Sequence, residues 1–140
     1  MQLIEVGNEH GAQIDSRARG RIGGTCCGVF KKTQLTVPLL VSSFSVECLT
    51  AFLNRSPGTP CGFLFEDPKC DWLALARKLK LQTVHPHKDL VTPELIETAH
   101  AHGWGVMAWT VDDVREAMAL KQIGTDAICT NRPDLLKEIF

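Results

Sequence analysis

Residues 92–113, TPELIETAHAHGWGVMAWTVDD, contain in one stretch the two elements from which the fold is predicted. Thr92 followed by Pro93 is typical of a helix N-cap and first turn, and Gly103 stands where a C-terminal cap is expected. The apolar run GVMAWTV at 105–111 then has the length of a buried strand and ends in carboxylates. The stretch therefore predicts a helix followed at once by a strand.

The same unit recurs along the chain at intervals of about 21 to 23 residues. The apolar runs begin at Leu39, Cys61, Gln82, Gly105 and Asp126, and each ends in a polar turn. A repeat of this length predicts a repetitive architecture. Strands that alternate with helices predict a parallel sheet, because each parallel connection needs a crossover. Together with an N-terminal run, LIEV, the predicted strands lie near 3–6, 39–43, 61–65, 82–86, 105–110 and 126–130.

Apolar periodicity and capping residues predict the helices between these strands. Apolar residues at i, i+3, i+4 and i+7 predict an amphipathic helix over 71–80. Asp112 is predicted to cap a helix that runs to about Ile123, where Gly124 ends it, and Pro133 is predicted to begin the last helix.

Composition predicts one soluble, cytoplasmic domain over residues 1–140. The 15 Lys and Arg residues and the 16 Asp and Glu residues are mixed along the chain, which argues against a nucleic-acid partner. No apolar run approaches the roughly 20 residues of a membrane span, and the N-terminus lacks the pattern of a signal peptide.

Two further features of the sequence give weak functional signals. Residues 7–36 are glycine-rich and without apolar period, so they are predicted to be irregular or weakly helical, and GRIGG at 20–24 does not match a nucleotide-binding loop. The six cysteines contain no C-x-x-C pair, which argues against a zinc site and favours reduced thiols packed as small apolar residues.

In parallel β/α folds, ligands bind where the loops after the strands gather, at the carboxyl ends of the strands. Candidate site residues are therefore those that end each apolar run, although many such polar residues simply cap helices. They are Ser42, Ser43, Phe44, Phe65, Glu66, Asp67, His85, His87, Trp109, Thr110, Asp112, Thr130 and Asn131. His85 and His87, two apart on a strand, also have a spacing compatible with a metal site.

Four stretches, taken in order, resemble the second half of glycerophosphodiester phosphodiesterases. They are LLVSSFSVECL at 39–49, GFLFED at 62–67, the long segment from VHPH to AWTVDD at 84–113, and GTDAICTNRPDLL at 124–136. The resemblance covers about residues 37–140. It implies a TIM barrel that hydrolyses a glycerophosphodiester to glycerol 3-phosphate and an alcohol, with a divalent cation, Mg²⁺ or Ca²⁺, two histidines and a lysine.

The resemblance also implies roles for individual residues. Phe44 of S-S-F and Trp109 of W-T-V match the aromatic residues that line the substrate mouth, and core packing between strand and helix is the alternative for Trp109. Glu5 in LIEVG matches the metal-ligating acid of an I-E-I-K strand, and Gly7 stands where that strand has its lysine.

Much of the family's catalytic set has no counterpart in this sequence. No H-R-G, no strand-end E-x-D and no H-D occurs, so no catalytic residue is assigned. Six predicted strands, against the eight of a closed barrel, predict an α/β fold of incomplete TIM-barrel type. We expect such a chain to be inactive in isolation and to self-associate through its open sheet edges.

Two alternative interpretations remain at this point. One is a non-catalytic β/α remnant that binds a partner or a small phosphate ligand. The other is an open flavodoxin-like sheet. Such a fold requires a glycine-rich or acidic loop after its first strand, and the GNEHG turn at 7–11 matches that loop only weakly.

Overall fold

Six parallel strands form one sheet whose order follows the chain from β1 to β6 in the computed structural model, which describes residues 2–5 and 39–140. Adjacent strands pair in parallel throughout. The strands are β1 (Gln2–Glu5), β2 (Leu39–Ser43), β3 (Cys61–Phe65), β4 (Thr83–Pro86), β5 (Gly105–Ala108) and β6 (Ala127–Ile128).

The predicted parallel sheet is confirmed, including its last pair, in which Met107 is in register with Ala127. The last two strands end earlier than predicted. Beyond Ala108 regular pairing gives way to single links: a bridge joins His87 to Trp109, and the Val111 amide donates to the carbonyl of Cys129. Residues 7–36, predicted to be irregular, lie outside the described part of the chain.

The described residues form five α-helices and one short 3₁₀ helix, Lys88–Leu90, and all but the last α-helix lie between strands. The longest α-helix has ten residues, and none of the described helices has the length and apolar character that crossing a bilayer requires. The α-helices are α1 (Val46–Arg55), α2 (Trp72–Leu79), α3 (Pro93–Ala101), α4 (Val114–Gln122) and α5 (Pro133–Leu136).

Capping residues set most of the helix ends as predicted. The Thr92 side chain accepts from the Leu95 amide, and Gly103 and Gly124 take positive φ angles of 75° and 102° just after α3 and α4. The prediction that Asp112 caps α4 is wrong. Asp113 lies in the extended conformation immediately before the helix and accepts from the Arg115 and Glu116 amides.

The helices cover one face of the sheet. Val41, Val84 and Val106 from three strands pack into a buried cluster with helix residues such as Leu49 and Ile96. Because side chains alternate along a strand, the neighbouring residues of these strands face the opposite side, which is the interior side of a barrel.

Two of the described cysteines, Cys61 and Cys70, belong to the main apolar cluster or pack against it. Cys61 is buried in the main cluster, and burial raises the pKa of its thiol to about 11. Burial also raises the pKa of Cys70, with the carboxylates of Asp67 and Asp71 adding to the effect. Thiols with such raised pKa values are protonated and unreactive near neutral pH.

Six parallel strands with helices on one face are the incomplete TIM-barrel type that the sequence predicts, since a closed TIM barrel has eight. The carboxyl ends of all six strands lie at one end of the sheet, which places the loops after them around a common rim.

Candidate functional site

Three rings from three separate loops meet at the carboxyl end of the sheet. Phe44 follows β2, His87 follows β4 and Trp109 follows β5. The Phe44 and Trp109 ring centroids are 5.1 Å apart at an interplanar angle of 90°, and those of His87 and Trp109 are 5.0 Å apart at 83°. These edge-to-face contacts are the geometry that aromatic pairs prefer. Phe44, His87 and Trp109 are called the aromatic rim below.

The Trp109 indole is fixed by a hydrogen bond as well as by packing. Its Nε1–H donates to the backbone carbonyl of His85 at 2.8 Å, which lays the ring over the end of β4 toward Phe44. Phe44 is 41% exposed, so the rim presents apolar surface to solvent. The structure thus brings Phe44 and Trp109 together, and their role in binding stays a prediction.

A buried polar chain lies beneath the rim on the barrel-interior face. Ser42 Oγ is 2.7 Å from Nδ1 of His85, and Thr83 Oγ1 is 2.8 Å from its Nε2. His85 is 0% exposed and Ser42 1% exposed. Burial lowers the pKa of His85 to about 3, so its ring is neutral near pH 7.

The distance between Ser42 Oγ and His85 Nδ1 is that of a nucleophile beside a general base, but the resemblance ends there. Neither side chain can meet a substrate, because both are enclosed by the fold. Thr83 bonds to the second ring nitrogen of His85. The three side chains thus satisfy one another's polar atoms and join β2 to β4.

The interpretation of His85 and His87 as a metal pair is not supported by the geometry. Both nitrogens of His85 are taken by hydroxyl groups. His87 lies in its own turn, where Nδ1 accepts from the Asp89 amide at 3.4 Å and lies 3.4 Å from the Asp89 carboxylate. The two imidazoles therefore share no open position for an ion.

The described residues do not fit a divalent cation. Mg²⁺ and Ca²⁺ need several oxygen ligands that converge, and residues 40–140 contain no such group of three acidic, histidine or cysteine side chains. Glu5 ends β1, where its backbone is in register with Ser42. Its side chain lies outside the described residues, and its role as a metal ligand stays a prediction.

A second polar cluster links the loops that follow β5 and β6. The Asp112 carboxylate accepts from the Thr130 hydroxyl at 2.9 Å, from the Asn131 amide at 2.7 Å and from the Asn131 side chain at 3.0 Å. These bonds to Asn131, followed by the bond to Thr130, lower the pKa of Asp112. Its carboxylate is thus committed to holding two loops together.

Gly62 and Thr83 complete the buried site, and sequence reasoning missed both. A Cβ on Gly62 would lie 2.3 Å from the His85 ring and 2.6 Å from Thr83 Oγ1. The available signal was a glycine inside a buried apolar run, since such a glycine often marks the close approach of another group. Its partner could not be identified without the strand register.

Trp104 lies at the other end of the sheet, just before β5. It is 8% exposed and joins the helix-facing cluster, where its ring lies edge-on to Trp72 at 6.4 Å. The two tryptophans at either end of β5 therefore have different roles, because one is core and the other is half-exposed at the rim.

Comparison with known proteins finds matches to one family. The model of the Glycerophosphoryl diester phosphodiesterase family matches residues 5–135. A glycerophosphodiester phosphodiesterase of Caldanaerobacter subterraneus subsp. tengcongensis is 26% identical over 98 residues, which are 70% of this chain and 40% of that protein.

Solved structures show the same fold. A phosphodiesterase of Oleispira antarctica, in complex with its product sn-glycerol-3-phosphate, matches 80% of this chain and 46% of its own at a TM-score of 0.73 and 24% identity. A glycerophosphodiester phosphodiesterase of Thermotoga maritima matches 81% of this chain and 52% of its own at a TM-score of 0.63 and 16% identity. The chain therefore spans about half the length of these relatives, or less.

Proposed function

Because this chain belongs to the glycerophosphoryl diester phosphodiesterase family, we propose that its aromatic rim binds the glycerol phosphate part of a glycerophosphodiester. The contact between Phe44 and Trp109 carries the proposal. It joins two residues from nonadjacent strands, and both were assigned to the substrate mouth by family resemblance. The product complex of the Oleispira antarctica relative supports a ligand of this chemistry.

Aromatic walls suit the carbon side of a polyol, while neighbouring polar groups hold its hydroxyls. At this rim the Trp109 indole N–H is already engaged, so the ring offers its apolar surface rather than a donor. His87 adds a polar ring at the edge of the same surface. The rim can thus orient a small glycerol compound.

Hydrolysis by the isolated chain is not part of this proposal. The sequence lacks the H-R-G, E-x-D and H-D motifs that carry the family's proton-transferring histidines, so no catalytic residue is assigned. We propose Glu5 as a ligand for Mg²⁺ or Ca²⁺, the hard cations that take carboxylate oxygens. One carboxylate is too few for a site, so no reaction step is assigned to a metal.

A second candidate function is that of a non-catalytic module that binds a partner through the edge of its sheet. The terminal position of β6 in the described sheet favours it, because an unpaired edge strand is a template for another chain. The two functions differ in the ligand that they require, which is a small glycerol phosphate in one and a polypeptide in the other.

Calorimetric titration of the purified chain with glycerol 3-phosphate tests the first function. We expect saturable binding that Phe44→Leu weakens by roughly 2- to 10-fold, the worth of one aromatic contact. Phe140→Leu is the matched control, since Phe140 is 39% exposed but does not belong to the rim. Equal effects of both variants, or no binding to the unmodified chain, would exclude the rim as the site.

A further inference from the structure

His85 is hydrogen-bonded to the strand that leads to Phe44 and to the ring of Trp109. Its ring reaches Ser42, two residues before Phe44 on the strand that supplies one wall. Its backbone carbonyl accepts from the indole of Trp109, the other wall. One buried residue on β4 thus contacts both the strand that leads to Phe44 and the ring of Trp109, which follows β5.

The contact with Ser42 crosses an intervening strand. In the sheet order β3 separates β2 from β4, and Gly62 on β3 is in register with Ser42 on one side and Thr83 on the other. The His85 ring lies over Gly62, where any Cβ would overlap it at 2.3 Å. Only a glycine at this point leaves room for the ring to lie between the two hydroxyls.

The ring has little freedom to move within this arrangement. Both nitrogens are at hydrogen-bond distance, 2.7 Å from Ser42 and 2.8 Å from Thr83, and none of its surface is exposed. A buried polar group that lost either partner would carry a desolvation cost, so the bonded position is strongly favoured. The same restraint holds the backbone at the end of β4.

We propose that His85 is a positioning residue for the aromatic rim, which it holds by clamping β2 to β4 across Gly62 and by presenting its carbonyl to the Trp109 indole. The ring itself touches no ligand. The inference rests on the proposed function only for its effect on ligand binding, since the position of Trp109 can be measured without a ligand.

The indole N–H signals of the protein test the proposal directly by nuclear magnetic resonance. The chain has three tryptophans, and Trp72 and Trp104 lie in the helix-facing cluster away from the rim. In His85→Leu, which removes both ring bonds, we expect the Trp109 indole signal to shift and its hydrogen exchange to become about fivefold faster, the effect of weakening one hydrogen bond. The Trp72 and Trp104 signals should keep their positions. Trp109→Phe assigns the signal.

Conservative variants separate positioning from general loss of stability. His85→Asn can keep a partner for Ser42 and His85→Gln a partner for Thr83, so each should restore part of the Trp109 signal toward its original position. The dissociation constant for glycerol 3-phosphate should be largest in His85→Leu and smaller in His85→Asn and His85→Gln. An unchanged Trp109 signal in folded His85→Leu, or equal shifts of all three indoles, would overturn the proposal.

Two further variants, which keep the His85 side chain, keep the test decisive if His85→Leu does not fold. Gly62→Ala displaces the ring while keeping its chemistry, and Ser42→Ala removes one bond. Both should move the Trp109 signal alone, and failure of both to do so would contradict the positioning role. If the unmodified chain binds no glycerol 3-phosphate, the proposed function fails, while the indole signals still decide the role of His85.

Discussion

At the scale of single residues, the neutral ring of His85 makes the stability of the fold depend on pH. Burial lowers its pKa in the folded chain to about 3, against about 6.5 in an unfolded chain. Below the unfolded pKa the unfolded chain therefore binds a proton that the folded chain does not. The contribution of His85 to the free energy of unfolding is therefore complete above about pH 6.5. It falls by about 1 kcal/mol for each pH unit between 6.5 and 3.

Urea unfolding at a series of pH values from 7.5 to 4 measures this dependence. The difference in unfolding free energy between the unmodified chain and His85→Gln should be constant above pH 7 and should shrink as the pH falls. A difference that grows toward low pH would mean that the folded chain stabilises the charged imidazole instead.

The residues of the buried chain show what sequence alone could predict at this scale. Ser42 and His85 were selected because they end apolar runs, and that selection brought two true neighbours together. Their bond to each other could not be predicted, because it depends on the register of three strands and on the absence of a side chain at Gly62. The assignment of Phe44 and Trp109 to the substrate mouth depended on the family resemblance. An aromatic residue at the end of a strand can line a binding site or pack in the core, and no sequence pattern distinguishes the two roles.

At the scale of elements, two adjacent aspartates stabilise different parts of the chain. Asp113 caps α4 through the Arg115 and Glu116 amides, whereas Asp112 binds Thr130 and Asn131 in the loop before α5. The sequence predicted Asp112 as the N-cap in place of Asp113. Two adjacent aspartates before a helix fit the same capping pattern, so the pattern does not distinguish them. Backbone conformation decided between them.

Amide hydrogen exchange on Asp112→Ala and Asp113→Ala separates the two roles. We expect Asp113→Ala to speed exchange at Arg115 and Glu116 and to cost about 1 kcal/mol, the usual effect of losing an N-cap. Asp112→Ala should instead speed exchange at Asn131 and leave the first turn of α4 protected. The opposite pattern of exchange would contradict the assigned hydrogen bonds.

Strand prediction succeeded where apolar runs are bounded by turns and weakened toward the end of the chain. β2 and β3 have the predicted bounds, and residues 40–43 and 61–65 are continuously buried. β6 has two residues, since its only described neighbour is β5 and the chain leaves the ladder soon after Ala127–Ile128. A strand with a partner on one side only has fewer bonds to define its ends.

At the scale of the whole molecule, the six described strands form an open sheet, and an open sheet has edges. β6 pairs with β5 and with no other described strand. Unpaired N–H and C=O groups at such an edge favour pairing with another chain. We therefore predict concentration-dependent self-association of the purified protein, measured by sedimentation velocity.

A lysine at the edge should reduce this association, because charges on edge strands oppose pairing. Ala127→Lys places it in β6, and Ala119→Lys, on the exposed surface of α4, controls for the added charge. A monomer at all concentrations, or equal effects of both variants, would show that the described edge is not the interface.

The architecture of residues 39–140 was predictable from the sequence because a repeat of about 22 residues constrains all of its strands and helices at once. Function was predictable only at the level of the family, through S-S-F, W-T-V and G-T-D-A-I-C-T-N-R-P. The catalytic centre was not, since the motifs that would carry it are absent from these 140 residues.

Release of glycerol 3-phosphate from glycerophosphocholine, in excess Mg²⁺ or Ca²⁺, tests most directly the claim that this chain keeps a binding rim without a catalytic centre. The account predicts that the 140-residue protein releases product no faster than its Glu5→Ala variant, because a positioned acid–base group contributes typically 10²–10⁴-fold and both family histidines are missing. Metal-dependent release by the purified monomer that Glu5→Ala abolishes would contradict it.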